Sequence, residues 1–247
     1  MTGIGTTGII GNLNLLILCG GKGSRLRPVL RGVPKPMADI HGRPFLDILI
    51  TYAAGYGIKR FILGIGYKRK LIKAYYNNYH KNDIEIGFSE ETLPLGTGGA
   101  VGNSSHFLQS NPFMVMNGDS FCPLNIPEFI SFHKKKKALV SIALVRTTDT
   151  AEYGFINLDS FSRVTAFNEK TGVKKRGFIN AGVYLFDKEI FLHLPKRETF
   201  SLEYDFFPRL VNERFYGYVT RAKLVDIGTP DRYKKALGDR ILWHRKN

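Results

Sequence analysis

The sequence predicts an α/β protein: a Rossmann-like, mixed and mostly parallel sheet flanked by helices. Three observations carry this. Apolar runs of strand length alternate with segments of helical periodicity along the first half of the chain, the pattern of strands joined by crossover helices. The first run, Leu15–Cys19, empties into Gly20-Gly21-Lys22-Gly23, and two later runs end in Asp119 and Asp226. The 247 residues can bury one sizeable core or two small ones, and since no shift in composition and no Pro/Ser-rich linker divides them, one domain is expected.

Each element follows in order. Residues 1–13, MTGIGTTGIIGNL, lack the basic start and apolar core of a secretory signal and read as a flexible extension. Residues 14–247 read as the single domain. Leu15–Cys19 is the first strand. A helix follows around Pro44–Tyr56, where Pro44 suits a first turn and Gly57 an end. Arg60–Ile65 is the second strand, Arg69–Tyr79 the second helix and Ile84–Phe88 the third strand. A helix near Gly98–Leu108 leads to the strand Phe113–Met116, which ends at Asn117-Gly118-Asp119. A helix near Ile126–Lys136 precedes the strand Ala138–Arg146. The pattern then changes. Gly154–Leu158 and Arg163–Glu169 read as a hairpin turning at Asp159-Ser160, and Phe178–Phe186 as a further strand. Leu202–Asn212 reads as a helix, Tyr216–Val219 and Leu224–Ile227 as strands, and Pro230–Asp239 as the closing helix.

The formal net charge is +15, which points to anionic partners: nucleic acid, a membrane surface or phosphorylated small molecules. No zinc-finger spacing, RNP motif or helix-turn-helix pattern supports nucleic acid, and no apolar run reaches the roughly 18 residues of a membrane span. Lys134–Lys137 reads as the cation-favoured end of a helix. Cys19 and Cys122 sit in or just after apolar runs and read as buried thiols rather than a disulfide framework, which fits a reducing cytoplasm.

A strand that empties into a glycine-rich, cationic loop brings backbone N–H groups and positive charge against phosphate. The loop fails the G-x-x-x-x-G-K-[ST] spacing, and Leu26 stands where G-x-G-x-x-G needs its third glycine. What remains is LCGGKGSRLRP followed by PKPM. This resembles the signature of the sugar-1-phosphate nucleotidyltransferases. The resemblance continues through Pro94-Leu95-Gly96-Thr97-Gly98-Gly99-Ala100, Asn117-Gly118-Asp119, Glu169-Lys170, Asn180-Ala181-Gly182 and Asp226-Ile227-Gly228-Thr229-Pro230. With Gly42-Arg43-Pro44-Phe45-Leu46 after PKPM, it is most similar to the D-glycero-α-D-manno-heptose 1-phosphate guanylyltransferases.

The resemblance implies the nucleotidyltransferase fold and a reaction in which a sugar 1-phosphate attacks the α-phosphorus of a nucleoside triphosphate. Gly20, Gly21, Gly23 and Ser24 are expected to wrap the triphosphate, with Leu18, Gly96, Thr97 and Gly98 beside the nucleoside. Arg25 is expected on the β/γ phosphates, a task suited to a fork of donors, and Lys35 on the α-phosphate or the attacking phosphate. Asp119 and Asp226, each ending an apolar strand, are expected to hold Mg2+. Gly154, Glu169, Lys170 and Asn180 are expected to line the sugar side. Glu90 and Glu91 precede the LGTGG loop, and a carboxylate can accept both N1–H and N2–H of guanine, which favours Glu91 as reader and GTP as donor. UTP, dTTP or CTP with another sugar phosphate stays open, as do a catalytically inactive nucleotide-sugar-binding relative and a homo-oligomer. The expected product, GDP-heptose, would feed surface polysaccharide synthesis.

Overall fold

The computed structural model describes residues 10–30, 32–77, 79, 83–148, 150, 153–168 and 174–243. Inside the sheet, with a parallel partner on each side, lies β1 (Asn14–Cys19). Its side chains alternate, as strand geometry requires. Leu15, Ile17 and Cys19 enter one core, while Leu16 is buried in a second core and Leu18 packs against it. A short hairpin, β2 (Asp39–Ile40) and β3 (Arg43–Pro44), delivers the chain to α1 (Phe45–Ala54).

Four parallel strands follow from the alternation of apolar runs and helices. Their spatial order is β6 (Phe113–Asn117), β1, β4 (Arg60–Ile65) and β5 (Glu85–Glu90). The crossovers are α1, α2 (Arg69–Tyr76) and α3 (Gly96–Asn103). After β7 (Ser120–Phe121), α4 (Ile126–Lys136) leads to β8 (Val140–Thr147). The hairpin β9 (Phe155–Leu158) and β10 (Val164–Asn168) comes next. Then β11 (Gly177–Phe186) pairs antiparallel with both β6 and β8, and β12 (Phe215–Thr220) runs parallel to β8. The antiparallel β11 therefore joins two parallel halves into a mixed, mostly parallel sheet. Finally β13 (Val225–Asp226) pairs with β7, and α5 (Pro230–Leu237) closes the fold. Leu46 and Leu49 of α1, Ile72 of α2 and Phe129 of α4 cover one face; Val101 of α3 with Phe200, Phe206 and Phe207 covers the other.

Several expectations shift. Leu202–Asn212 is no regular helix: a wide turn over Leu202–Phe206 passes into a tight one over Phe207–Leu210. Pro208 has no N–H to continue a ladder. The helix expected to reach Leu108 stops at Asn103, and Leu224–Ile227 is extended in pairing only over Val225–Asp226. Ile10 and Leu13, read as extension, are buried in the core, because both are apolar and meet its edge. Residues 1–9 lie outside the described residues.

Candidate active site

The carboxyl ends of β1, β6 and β13 converge, the crevice where open α/β sheets take their ligands. Two cavities lie there. The larger, about 480 Å³, is lined by Leu18, Gly20, Gly21, Lys22, Glu91 and Thr97 among others. The smaller, 210 Å³, is lined by Arg25, Lys35, Gly154, Asn180, Glu203 and Asp226 among others. Asn117 and Asp119 belong to both walls, so the two cavities meet at the end of β6. A wider groove of 770 Å³ continues beyond Tyr153 and Asp226 along α5, but it lacks the glycine loop.

The glycine loop divides between these spaces. Gly20, Gly21 and Lys22 line the larger cavity. Gly23, at φ +56°, turns the chain over Lys35, where a Cβ would stand 2.9 Å from the Cβ of Lys35. Ser24 is exposed. Beyond this turn Arg25 reaches the smaller cavity, not the larger one. The turn at Gly23 lies between Arg25 and the Gly20–Lys22 stretch. Lys22 was not singled out from the sequence, though it is the one cation inside the glycine run.

Of the paired candidates Glu90 and Glu91, Glu90 turns outward. It forms ion pairs with Lys73 at 2.6 Å and Arg69 at 3.2 Å, which hold its carboxyl below the usual range. Glu91 is buried in the larger cavity. Its Oε2 accepts from the Leu95 N–H at 3.1 Å. Burial raises its pKa and that bond opposes the rise. Gly96 and Thr97 share this cavity. Gly98 does not: it is packed against the Phe200 ring, and its N–H and that of Gly99 donate to the Phe200 carbonyl at 3.0 and 3.2 Å. Only a helix start without side chains admits so close a segment.

The carboxylates and cations are interleaved. Lys35 Nζ lies 2.5 Å from Asp119 Oδ2. Asp226 Oδ2 accepts from Arg232 at 2.6 Å and from the Tyr153 hydroxyl at 2.9 Å, while Oδ1 accepts from Gly228 N–H. The Ile227 N–H donates to the Asp119 carbonyl at 3.0 Å, so pairing of β13 with β7 sets the two aspartates side by side. Asn117 Oδ1 and Ser120 Oγ are buried in the smaller cavity without a protein partner. A bulge in β11 between Asn180 and Tyr184 turns Asn180 inward, where Oδ1 accepts from Gly182 N–H at 2.8 Å. Tyr153, Tyr184, Glu203 and Arg232 were missed in the sequence. They stand outside the glycine and aspartate motifs, and no local spacing marks them. Glu169 and Lys170 lie outside the described residues.

A glycine loop, two strand-end aspartates and fixed cations in one cleft define a protein that handles nucleoside and sugar phosphates. The comparisons agree: the chain belongs to the Nucleotidyl transferase family, which it matches over residues 14–240. It is 38% identical over 226 residues to the D-glycero-α-D-manno-heptose 1-phosphate guanylyltransferase of Aneurinibacillus thermoaerophilus, covering 91% of this chain and 96% of that one. It is 34% identical over 232 residues to the mannose-1-phosphate guanylyltransferase of Mycobacterium tuberculosis, covering 93% of this chain but 65% of that relative's length. The structure of HddC from Yersinia pseudotuberculosis complexed with GMP-PN superposes with a TM-score of 0.80 at 36% identity, over 92% of this chain and 98% of that one. The expected fold and family are thus borne out, and the chain is a nucleotidyltransferase.

Proposed function

We propose that the chain transfers GMP from GTP to D-glycero-α-D-manno-heptose 1-phosphate, releasing pyrophosphate and forming GDP-heptose for surface polysaccharide synthesis. The observation that carries this reading is the pair of cavities meeting at Asp119, one with a buried carboxylate and the other with cations and polar groups. The relative named as a heptose 1-phosphate guanylyltransferase matches over nearly its whole length, which favours heptose. Mannose 1-phosphate is the second reading, favoured by the M. tuberculosis relative.

Both substrates are anions, so catalysis rests on alignment and charge neutralisation. Guanine presents N1–H and N2–H to Glu91, which as a carboxylate accepts both. The Gly20 and Gly21 N–H groups and Lys22 hold the triphosphate. A phosphate oxygen of the sugar 1-phosphate attacks the α-phosphorus in line, and the bond to the oxygen bridging toward the β-phosphorus breaks. Lys35, released from Asp119, pairs with the attacking phosphate. Arg25 neutralises charge that develops as pyrophosphate departs. Asn180 and Gly154 line the sugar side, with Glu169 and Lys170 assigned there by resemblance.

The donor set fits Mg2+. Asp226, on β13, and Asp119, in the turn just before β7, offer hard oxygens, and the orphaned Asn117 Oδ1 and Ser120 Oγ call for a polar occupant such as metal-bound water. When bound, Mg2+ would neutralise the phosphates between the two aspartates. Among the described residues no helix is long and apolar enough to cross a membrane, and both cysteines are buried and free. Free thiols support a cytoplasmic site of action.

The test is pyrophosphate release with Mg2+ across GTP, UTP, dTTP, CTP and ATP, each against heptose, mannose and glucose 1-phosphates. Turnover with GTP and the heptose ester is expected. Preference for another nucleotide would discard the role of Glu91, and absence of turnover with every pair would discard the activity.

A further inference from the structure

In the two cavities that meet at Asp119, the chemistry above leaves one lining carboxylate without a task. Glu203 follows Ser201 in the wide turn after β11, and the turn is pinned to α3. The Leu202 N–H donates to Thr97 Oγ1 at 2.8 Å, and the Glu203 and Tyr204 N–H groups donate to Ser201 Oγ at 3.1 and 3.2 Å. The Glu203 side chain enters the smaller cavity, alongside Arg25, Lys35 and Asn180.

Its two oxygens differ. Oε2 accepts from the Thr97 hydroxyl at 2.6 Å and the Ser201 hydroxyl at 2.8 Å. Oε1 has the Tyr184 hydroxyl at 3.4 Å, a long contact, and that hydroxyl takes the Asn180 amide at 2.7 Å. An ionised carboxylate accepts about four hydrogen bonds, so Oε1 retains room for a donor from the cavity. Thr97 and Ser201 fix the carboxylate against rotation, which gives the acceptor a defined direction.

What donor fits is set by charge. A phosphate is repelled by Glu203 and drawn to Arg25 and Lys35, so a sugar phosphate bound here turns its hydroxyl-bearing ring toward Glu203. We propose that Glu203 is a specificity-determining residue that accepts a ring hydroxyl of the sugar through Oε1. Thr97, in the wall of the nucleotide cavity, positions it. This rests on the reading of the smaller cavity as the sugar 1-phosphate site. A sugar lacking the hydroxyl leaves a partly desolvated carboxylate bare, which binding sites reject strongly.

The test compares wild type with Glu203→Gln, using GTP and manno-configured sugar 1-phosphates together with each monodeoxy analogue. The KM for the sugar ester should rise about ten- to a hundredfold in the variant, the loss expected of a charge-assisted hydrogen bond, while the KM for GTP holds within about twofold. One deoxy analogue should be penalised in wild type and lose that penalty in the variant. Parallel rises in both KM values, or an unchanged deoxy penalty, would overturn the proposal. If Glu203→Gln does not fold, Glu203→Asp, which withdraws the carboxylate by one methylene, should give the same split. A wild-type enzyme that accepts every deoxy analogue like the parent sugar also overturns it. If wild type turns over no pair, the functional reading fails by itself; calorimetric binding of the same sugar esters then decides about Glu203, with equal affinities for wild type and variant counting against it.

Discussion

Lys35 Nζ and Asp119 Oδ2 stand 2.5 Å apart where the two cavities meet, with the lysine side chain 12% exposed and the aspartate 41%. The pair holds the ammonium against a carboxylate at the place where the proposed reaction brings two phosphates together. Asp119→Asn removes the charge without removing the shape. Turnover should fall by more than about a hundredfold and no longer respond to added Mg2+. The melting temperature should stay within about 4 °C, since the aspartate side chain is open to solvent. Steady-state rates across a Mg2+ titration, with a thermal melt, check this; full activity would remove Asp119 from the proposed metal site.

Arg25 lines the smaller cavity together with Lys35 and Asp119. Its assigned work is on charge that develops during transfer. Arg25→Ala should therefore lower kcat on the order of a hundredfold, as loss of a transition-state contact does. A rise confined to the KM for the sugar ester would make it a ground-state clamp on the sugar phosphate instead.

Much of this was legible in the chain because it depends on local order. A strand, a turn of fixed shape and a cation at set spacing are consecutive residues, so Gly20–Gly21 and Lys35 could be placed in sequence. Asp119 and Asp226 were legible for the same reason, each ending an apolar run. The partners of Asp226 were not: Tyr153 reaches it from 73 residues away, and nothing near position 153 announces it. Glu203 escaped notice because Leu202–Phe206 looks like helix, and only the pinning of Leu202 to Thr97, 105 residues apart, turns its carboxylate into the cleft. Gly98 is legible as part of LGTGG, whereas its packing against the Phe200 ring is a tertiary fact.

Gly20 and Gly21 are adjacent and should respond oppositely to one methyl group. On Gly20 a Cβ would collide with the Glu91 carboxylate, whereas on Gly21 it would meet nothing within 4 Å. Gly20→Ala should cost about 1–3 kcal/mol as an overpacked site and push Glu91 out of its position, weakening selection of GTP over the other triphosphates. Gly21→Ala should leave the denaturant midpoint unchanged. Glu91→Gln, which trades one acceptor oxygen for a donor, should reproduce the loss of GTP selectivity without the loss of stability. Denaturant melts and competition between nucleotides separate the three variants, and unchanged selectivity in Glu91→Gln would move base reading elsewhere.

His133 offers a prediction about pH that is independent of the cleft. It lies on α4, 3% exposed, with Nδ1 at 2.9 Å from Ser141 Oγ of β8. Burial pushes its pKa down to about 4 from an ordinary 6.5, with Asp187 opposing and Lys134 adding to the shift. The unfolded chain therefore binds a proton here at a pH where the folded chain does not. Stability from this group is fully present above about pH 6.5 and is lost as pH falls toward 4. The loss amounts to roughly 3 kcal/mol at about 1.4 kcal/mol per unit. His133→Gln cannot titrate, so its urea midpoint should fall less than that of wild type between pH 7 and pH 4.5. Carboxylates titrate in the same window in both proteins, and the difference between the two curves isolates His133. Parallel curves would mean that the imidazole gains its proton without leaving the core.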